Sequence, residues 1–424
     1  MLLTAWRSAE DMTDNSESKM AVKTKARLSP TFVVVMTLFI DAIGFGIIIP
    51  LLPFYTETLQ AGSAALGVLV ASFAVMQFFF SPVLGRISDN AGRKPVLVIS
   101  ILVSTISYVI FGFADSFLLL LLSRVIAGIA TETAVAQAYI ADITTEKNRA
   151  AGIGKVTAAH GAGFIIGPAI GGILSVYGFW APGFAAAVLT LINLLFVLFF
   201  LPETNRKNQV SRTITPNSKN GSKNKILDAL KKPVIGSVLV IHFVVFLAFS
   251  AVPVIVPLLV IAYFAFGSTE LAYVFIYIGI VQILLQSFVI GRLTSKFGEE
   301  NLIVIGPVLM IAGLFAMPLI PNIIAFFASM TMIASGSGIM RTVVPSFLSR
   351  LTPADEQGGI LGIASSVLSI ATVPGPLIGG FLFEVAGATA AFFGSSAILA
   401  VGLVFSFIVI RKYRRENGTT LRTT

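Results

Sequence analysis

Long apolar runs separated by short polar segments occupy the chain between residues 31 and 410. Twelve runs are long enough to cross about 30 Å of hydrocarbon, which takes about 20 helical residues. These predicted spans, numbered 1 to 12, cover 31–55, 66–86, 95–114, 116–141, 150–177, 180–202, 233–263, 270–292, 302–319, 321–347, 358–384 and 387–410. Several contain Gly or Pro, which helices in lipid tolerate when neighbours satisfy the freed backbone groups. The pattern predicts an all-α membrane protein that has the lipid bilayer as one of its partners.

The basic residues of the loops are confined to one side of this arrangement. They follow the even-numbered spans, as Arg86, Arg93 and Lys94 follow span 2. The loops on the other side carry four acids instead: Glu57, Asp115, Glu270 and Glu384. Because cytoplasmic loops retain Lys and Arg, we expect both termini and all even-numbered loops in the cytoplasm, with the chain in the cell (inner) membrane.

The composition agrees with this interpretation, since 56% of residues are hydrophobic and only 12% are charged. A water-facing exterior would need more polar residues. The net charge of +9 then reflects orientation and attraction to anionic headgroups. Nucleic-acid binding would need a soluble basic domain, and the sequence contains none. The absence of cysteine excludes disulfides and thiolate metal sites.

Two short segments recur at nearly the same spacing. The segment 85–92 after span 2 is similar to 291–298, which lies 206 positions later, and 167–172 in span 5 is similar to 375–380, 208 positions later. A duplicated six-helix unit explains both, and an even number of spans makes the two copies parallel. The sequence predicts a disordered cytoplasmic tail (1–28) followed by a six-helix bundle (29–202). A cytoplasmic linker (203–232) then leads to a second six-helix bundle (233–410) and a cytoplasmic tail (411–424).

Four patterns in the first half carry a family resemblance: Gly85-x-x-Ser88-Asp89-x-x-Gly92-Arg93-Lys94, Arg124-x-x-x-Gly128, Gly154-x8-Gly163-x3-Gly167-Pro168-x2-Gly171-Gly172 and Asp41-x-x-Gly44-x-Gly46-x3-Pro50-x2-Pro53. Through them the chain resembles the major facilitator superfamily, and within it the twelve-helix drug/proton antiporters that include the tetracycline exporters. The resemblance implies two parallel-repeat six-helix bundles, alternating access and proton-coupled multidrug efflux. Ser295 replaces Asp89 in the second half, so an acidic gate residue is confined to the first half.

The first and third of these patterns are here named the gate motif and the antiporter motif. Asp89 of the gate motif can accept hydrogen bonds from an opposing helix N-terminus, so we interpret the motif as a cytoplasmic gate. The alternative is a simple turn anchored by Arg93 and Lys94. The antiporter motif lets helices approach closely, and Pro168 bends its helix. By resemblance it forms a contact between the halves that limits leak; the bare pattern indicates only a close helix contact.

Ionisable residues inside the spans are the main candidates for function, because they are costly in a bilayer. Asp41 and Glu132 each lie about 15 Å from the cytoplasmic rim at the rise of a helix. We expect them to form a carboxyl pair that exchanges protons competitively with a cationic or neutral substrate. Arg124 precedes Glu132 by eight residues and is expected on roughly the same helix face. It could stabilise an ionised acid or an anionic substrate, or form a structural ion pair.

Four further residues are weaker candidates for the cavity: His160, Gln137, His242 and Arg341. Histidine is a natural proton relay, yet a single buried histidine is more often a packing residue. Gln137 could bind substrate or join helices. Arg341 could instead extend its charge toward the membrane surface.

Enzyme chemistry has no support in the sequence. There is no Walker loop, no Gly-x-Ser-x-Gly elbow and no metal-binding spacing of the two histidines. We therefore expect a non-enzymatic monomer that takes a small-molecule substrate, without cofactor or metal, and uses the proton gradient. Two alternatives stay open. One is a metabolite facilitator or proton symporter of the same fold, of which the facilitator would not need a protonatable carboxylate. The other is a non-transporting receptor or scaffold, which would not need Asp41, Glu132 and Arg124 in the bilayer.

Overall fold

The computed structural model describes residues 28–204, 233–320, 322–353 and 357–420, and every regular element in these ranges is a helix. The first six spans are formed by Pro30–Ile48 with Leu52–Thr58, Gly62–Ala91, Arg93–Gly112, Phe117–Ile129 with Glu132–Ile143, Glu146–Leu174, and Trp180–Phe200. Spans 7 and 8 are formed by Pro233–Phe249 with Val252–Phe264 and by Ser268–Leu284 with Ile290–Phe297. Spans 9 and 10 are Glu299–Ala316 and Ile323–Arg350. Span 11 comprises Gln357–Ala371 and the start of Pro374–Thr420, and span 12 is the rest of that last helix. Nearly all of the expected N-terminal tail and linker lies outside the described residues.

Ten helices in the described ranges are long and apolar enough to cross a membrane. The last of them, Gly359–Phe407, contains Gly387 in a non-helical conformation with φ 78°, so it comprises spans 11 and 12. Span 8 is not among the ten because a π-helical turn, Leu285–Val289, divides it. With these two interpretations, each predicted span corresponds to a helical stretch.

Two spans that the apolar pattern treats as continuous are broken. Span 1 tightens into a 3₁₀ turn over Ile49–Leu51, where Pro50 lacks a backbone donor. Span 4 is interrupted at Ala130 and Thr131, so that Glu132 starts a new helix. Arg124 and Glu132 therefore lie in two different helices, so the rotation of 100° per residue no longer predicts how their faces are related.

The glycines of span 5 lie directly against span 1. A Cβ atom placed on Gly167 would lie 2.6 Å from a carbonyl oxygen of span 1, and Gly163 and Gly171 also face backbone oxygens of that span. In the second half, Gly375 and Gly379 lie in the same way against span 7. Each half thus uses the same close helix contact, as expected for a duplicated unit.

The two ends of the bundle differ in charge and in closure. The acidic end carries Glu57, Asp115, Glu270 and Glu384, and the basic end carries Arg86, Arg93 and Lys94. Near the acidic end the halves touch. The hydroxyls of Ser175 and Ser268 lie 2.6 Å apart, and the backbone N–H of Ala64 donates to the Glu384 carboxylate at 2.7 Å.

Toward the basic end the halves separate. Six glycines in the basic-end parts of spans 2, 5, 8 and 11 would place a Cβ with no atom outside their own helix within 4 Å: Gly85, Gly154, Gly161, Gly291, Gly359 and Gly362. The molecule is therefore closed at the acidic end and open at the basic end. We call the gap between the halves at the basic end the opening. The outer surface is apolar, and large side chains such as Phe199 and Ile324 are largely exposed there, as contact with lipid requires.

Candidate functional site

Two carboxyl side chains meet inside the first half. Asp41 lies in span 1 and Glu132 begins the second part of span 4, and the two side chains share a hydrogen bond. An ionised carboxylate can only accept hydrogen bonds, so this bond requires a proton on one of the two groups. The structure thus places two carboxyl groups side by side, where one proton can be shared between them.

The break in span 4 determines the position of Glu132. As the first residue of a helix, Glu132 lies where the helix dipole favours negative charge, and its carboxylate accepts a hydrogen bond from its own backbone N–H. The hydroxyl of Ser104 in span 3 donates to the same carboxylate at 2.8 Å. The side chain is buried, at 3% exposure, and these donors replace the water that burial removes.

The carboxyl pair lines a cavity of about 160 Å³. Its other walls come from spans 1 to 5, with the side chains of Phe45, Phe73, Gln77, Ser104, Tyr108, Ala127, Ala130, Thr131, Thr133 and His160. Binding pockets for drug-sized molecules are about 300–1,000 Å³. This cavity therefore suits water and protons, and a larger molecule would have to occupy the opening between the halves.

Arg124 lies near the pair without forming an ion pair to it. Its guanidinium packs over the ring of Phe111 at 5.3 Å, and Nε donates to the Ser123 hydroxyl at 3.3 Å. The buried Nη2 has no hydrogen-bond partner. The structural ion pair considered from the sequence is therefore not formed among the described residues.

Tyr108 of span 3 is the neighbour that Arg124 and the two carboxyls have in common. It interacts electrostatically with Asp41, Arg124 and Glu132. Its ring lies against span 1, where a Cβ on Gly44 would be 3.2 Å from the phenolic oxygen. Tyr108 and Ser104 were not among the sequence candidates. The available signal was the run of hydroxyl side chains at positions 104, 105, 107 and 108 in a largely apolar span.

The remaining cavity candidates lie in both halves. His160 lines the carboxyl cavity, whereas Gln137 is exposed and does not line it. Arg341 packs over the ring of Phe246 at 5.4 Å, and the ring of His242 contacts the same phenylalanine at a centroid distance of 4.8 Å. The charge of Arg341 acts on both histidines, so Arg341 lies between the first-half cavity and span 7.

The gate motif is held within its own half in this conformation. Arg93 pairs with Asp89 at 2.7 Å and with Asp142 of span 4 at 2.8 Å. Glu203 accepts a hydrogen bond of 2.9 Å from the backbone N–H of Arg93, and Lys94 donates to a carbonyl of span 6. Gly92 has φ 106°, which permits the tight turn between spans 2 and 3. The motif therefore joins the basic ends of spans 2, 3, 4 and 6.

The antiporter motif lies mainly inside the first half. Gly163, Gly167 and Gly171 face span 1, and Pro168 lies beside Gly46 of the same span. Gly172 differs, because its Cβ would lie 2.5 Å from Ala272 of span 8. The structure therefore places the last glycine at the contact between the halves and the central ones within the first half. Gly154 has no contact outside its helix.

Comparisons with known proteins agree on one group. The family model described as Major Facilitator Superfamily matches residues 34–284 and 238–423. The tetracycline resistance protein, class C, of Escherichia coli is 33% identical over 353 residues, which cover 82% of this chain and 87% of that protein. Multidrug resistance protein 1 of Bacillus subtilis (strain 168) is 31% identical over 381 residues, covering 89% and 95%.

A solved structure has the same fold. It is a bacterial homologue of the human lysosomal transporter Spinster in an inward-facing and unoccupied conformation, and it matches with a TM-score of 0.74. Its sequence is 16% identical, and the match covers 91% of this chain and 97% of that one. At this identity the likeness concerns the fold alone.

Proposed function

Because this chain belongs to the major facilitator superfamily of membrane transporters, we propose that it exports a small organic molecule in exchange for protons. Its two named relatives are a tetracycline and a multidrug resistance protein, so drug-like molecules are the proposed substrates. Substrate and protons are the partners, and the chain works as a monomer without a cofactor.

The observation that carries the proposal is the hydrogen bond between Asp41 and Glu132. Ionisable groups at this depth are costly and are retained where they relay charge. Two carboxyls that share a proton can take up or release one proton when their hydration changes. Closing the basic end and opening the acidic end would change that hydration, since the carboxyl cavity lies between the two ends.

The orientation of the cycle follows from the charges at the two ends. Basic loops remain in the cytoplasm, so the basic end, the opening and both termini are assigned to the cytoplasmic side of the cell (inner) membrane. A substrate enters through the opening and binds between the halves. Rocking of the two repeats then exposes it to the outside. The glycine-mediated contacts of spans 5 and 11 move with their own halves.

The test uses the purified chain in proteoliposomes with tetracycline as the first probe, followed by a panel of small organic compounds. A pH gradient should drive accumulation of at least one probe by the parent protein. Asp41→Asn should abolish accumulation, and Glu132→Gln should reduce it strongly, because each removes one carboxyl of the proton-sharing pair. Asp115→Asn removes an exposed carboxylate at the acidic end and should leave accumulation unchanged.

Two outcomes would contradict the proposal. Equal transport with and without a pH gradient would indicate a facilitator. If both pair variants still concentrate the probe against its gradient, the carboxyls are structural and His160 or His242 becomes the next candidate for proton coupling.

A further inference from the structure

Among the residues that the structure describes, a positive charge inside the second half has no acidic partner. That charge is Arg341, and the acids of this half whose side chains the structure describes all lie at span ends: Glu270, Glu299, Glu300 and Glu384. Among the described residues, the carboxyl pair of the first half interacts electrostatically within the pair and with Tyr108, and no interaction with Arg341 accompanies these. A guanidinium at this depth is costly unless a counter-charge accompanies it.

The acids of the second half are also engaged elsewhere. Glu299 and Glu300 pair with Arg350 at 3.4 and 3.2 Å. Glu270 accepts from the backbone N–H of Gly267, and Glu384 accepts from the first half. None of these four acids is therefore available to Arg341 without breaking another contact.

The surroundings of Arg341 form a donor-rich, partly aromatic surface. The side chain is exposed although Arg341 lies well inside span 10, and its guanidinium packs over Phe246. His242, which packs on the same ring, and His160 each have a buried Nδ1 without a hydrogen-bond partner. Arg341 lies nine residues from the basic end of span 10, and His242 lies nine residues from that of span 7. Both are thus about 14 Å deep, close to the depth of Asp41.

We propose that Arg341 binds an anionic group of the transported molecule, such as a carboxylate or sulfonate, while Phe246 contacts an adjoining aromatic ring. The guanidinium offers five N–H donors in a planar fork that matches such oxyanions. This inference rests on the proposed function, since it takes the opening as the substrate path. It assigns proton binding to the first half and the substrate's negative charge to the second.

The inference refines the expectation from sequence that the substrate is cationic or neutral at the carboxyl pair. An anionic group would be repelled by the ionised member of that pair and attracted to Arg341, so the two halves of the site select different parts of one molecule. A bound substrate would therefore direct its anionic group toward the second half and its neutral or cationic portion toward the carboxyl pair.

The test compares 2-naphthoate with 2-naphthamide, which share a ring system and differ by a carboxylate. Equilibrium binding is measured at pH 7.5 on the full chain in nanodiscs of zwitterionic lipid, without a gradient. The parent should bind naphthoate about tenfold more tightly than naphthamide, the difference expected for a hydrogen bond to a charged group. Arg341→Gln should abolish this preference, and Arg341→Lys should retain part of it. The control Arg292→Gln removes an exposed charge at the basic end, whose Nη1 donates within its own helix, and should retain the full preference.

Three results would overturn the inference: no binding of naphthoate by the parent, equal affinities of the parent for the two probes, or an undiminished preference in Arg341→Gln. A folded Arg341→Lys variant that keeps part of the preference shows that the charge is responsible. Because binding is measured without a gradient, failure of proton coupling would leave this result intact. Conversely, if Arg341 proves not to bind anions, proton-coupled transport that depends on Asp41 can still be observed.

Discussion

Ser104 donates a hydrogen bond to Glu132 from the middle of span 3, and both side chains are buried. The hydroxyl supports negative charge on a carboxylate that has little contact with water. Without it, a charged Glu132 would lose one of the donors that stabilise it, since hydrogen bonds to a carboxylate favour its charged form. A neutral residue can therefore affect proton coupling without exchanging a proton itself.

Ser104→Ala should lower the rate of gradient-driven transport by about tenfold, because a hydrogen bond to a charged group contributes about 1.5–3 kcal/mol. Ser107→Ala is the matched control: Ser107 is equally buried in the same span, but its hydroxyl donates to a backbone carbonyl of its own helix at 2.8 Å. Initial rates in proteoliposomes distinguish the two. Equal losses in both variants would mean that Ser104 acts only through helix packing.

The pairing of spans 1 and 5 depends on missing side chains. Gly163, Gly167 and Gly171 recur every four residues, so they line one side of span 5 and bring its backbone against span 1. Without a hydrophobic driving force in lipid, such close packing supplies much of the attraction between helices. The contact keeps Asp41 of span 1 at a fixed depth within the first half.

Gly167→Ala should destabilise the protein by about 1–3 kcal/mol, because the added methyl group would overlap a carbonyl oxygen of span 1. Gly154→Ala makes the same change in the same helix where no neighbouring atom lies within 4 Å, and it should leave stability unchanged or raise it. Thermal unfolding of both variants in detergent measures the difference. A lower melting temperature for Gly154→Ala than for Gly167→Ala would refute the packing argument.

The basic ends of the two halves carry ion pairs of reversed polarity. In the first half, Arg93 at the start of span 3 pairs with Asp142 at the end of span 4. In the second half, Glu299 at the start of span 9 pairs with Arg350 at the end of span 10. Both bridges join the same two pseudo-equivalent spans. The repeat therefore conserves the position of the contact within this chain while exchanging its charges.

Span positions could be predicted from sequence because a bilayer requires long apolar runs, and the fixed rise of a helix gave the depth of Asp41 and Glu132. The break in span 4 could not, since Ala130 and Thr131 carry no Gly or Pro signal. Because of that break, helix rotation alone does not relate the faces of Arg124 and Glu132, although both side chains contact span 3. Tyr108 was missed for another reason. Its role depends on which side of span 3 faces spans 1 and 4, and tertiary packing decides that.

For the whole molecule, exchange between open states requires the acidic-end contacts to break. In one of these contacts, the Glu384 carboxylate accepts a hydrogen bond from the backbone N–H of Ala64, near the start of span 2. In another, the hydroxyls of Ser175 and Ser268 are hydrogen-bonded to each other. A carboxylate at a helix N-terminus is favoured by the helix dipole. Glu384 therefore stabilises the conformation that is closed at the acidic end and open at the basic end.

Glu384→Ala should shift the population toward opening at the acidic end about fivefold, the equivalent of about 1 kcal/mol for loss of a helix cap. Because the chain lacks cysteine, spin labels can be placed without background at Leu118→Cys and Ala386→Cys for the acidic end, and at Asn90→Cys and Ser295→Cys for the basic end. In Glu384→Ala, the distance between the two spin labels at the acidic end should lengthen, and the distance between the two at the basic end should shorten. Glu57→Ala removes another exposed acidic-end carboxylate and should shift neither. If the two substitutions change both distances alike, general surface charge rather than the Ala64 contact controls closure.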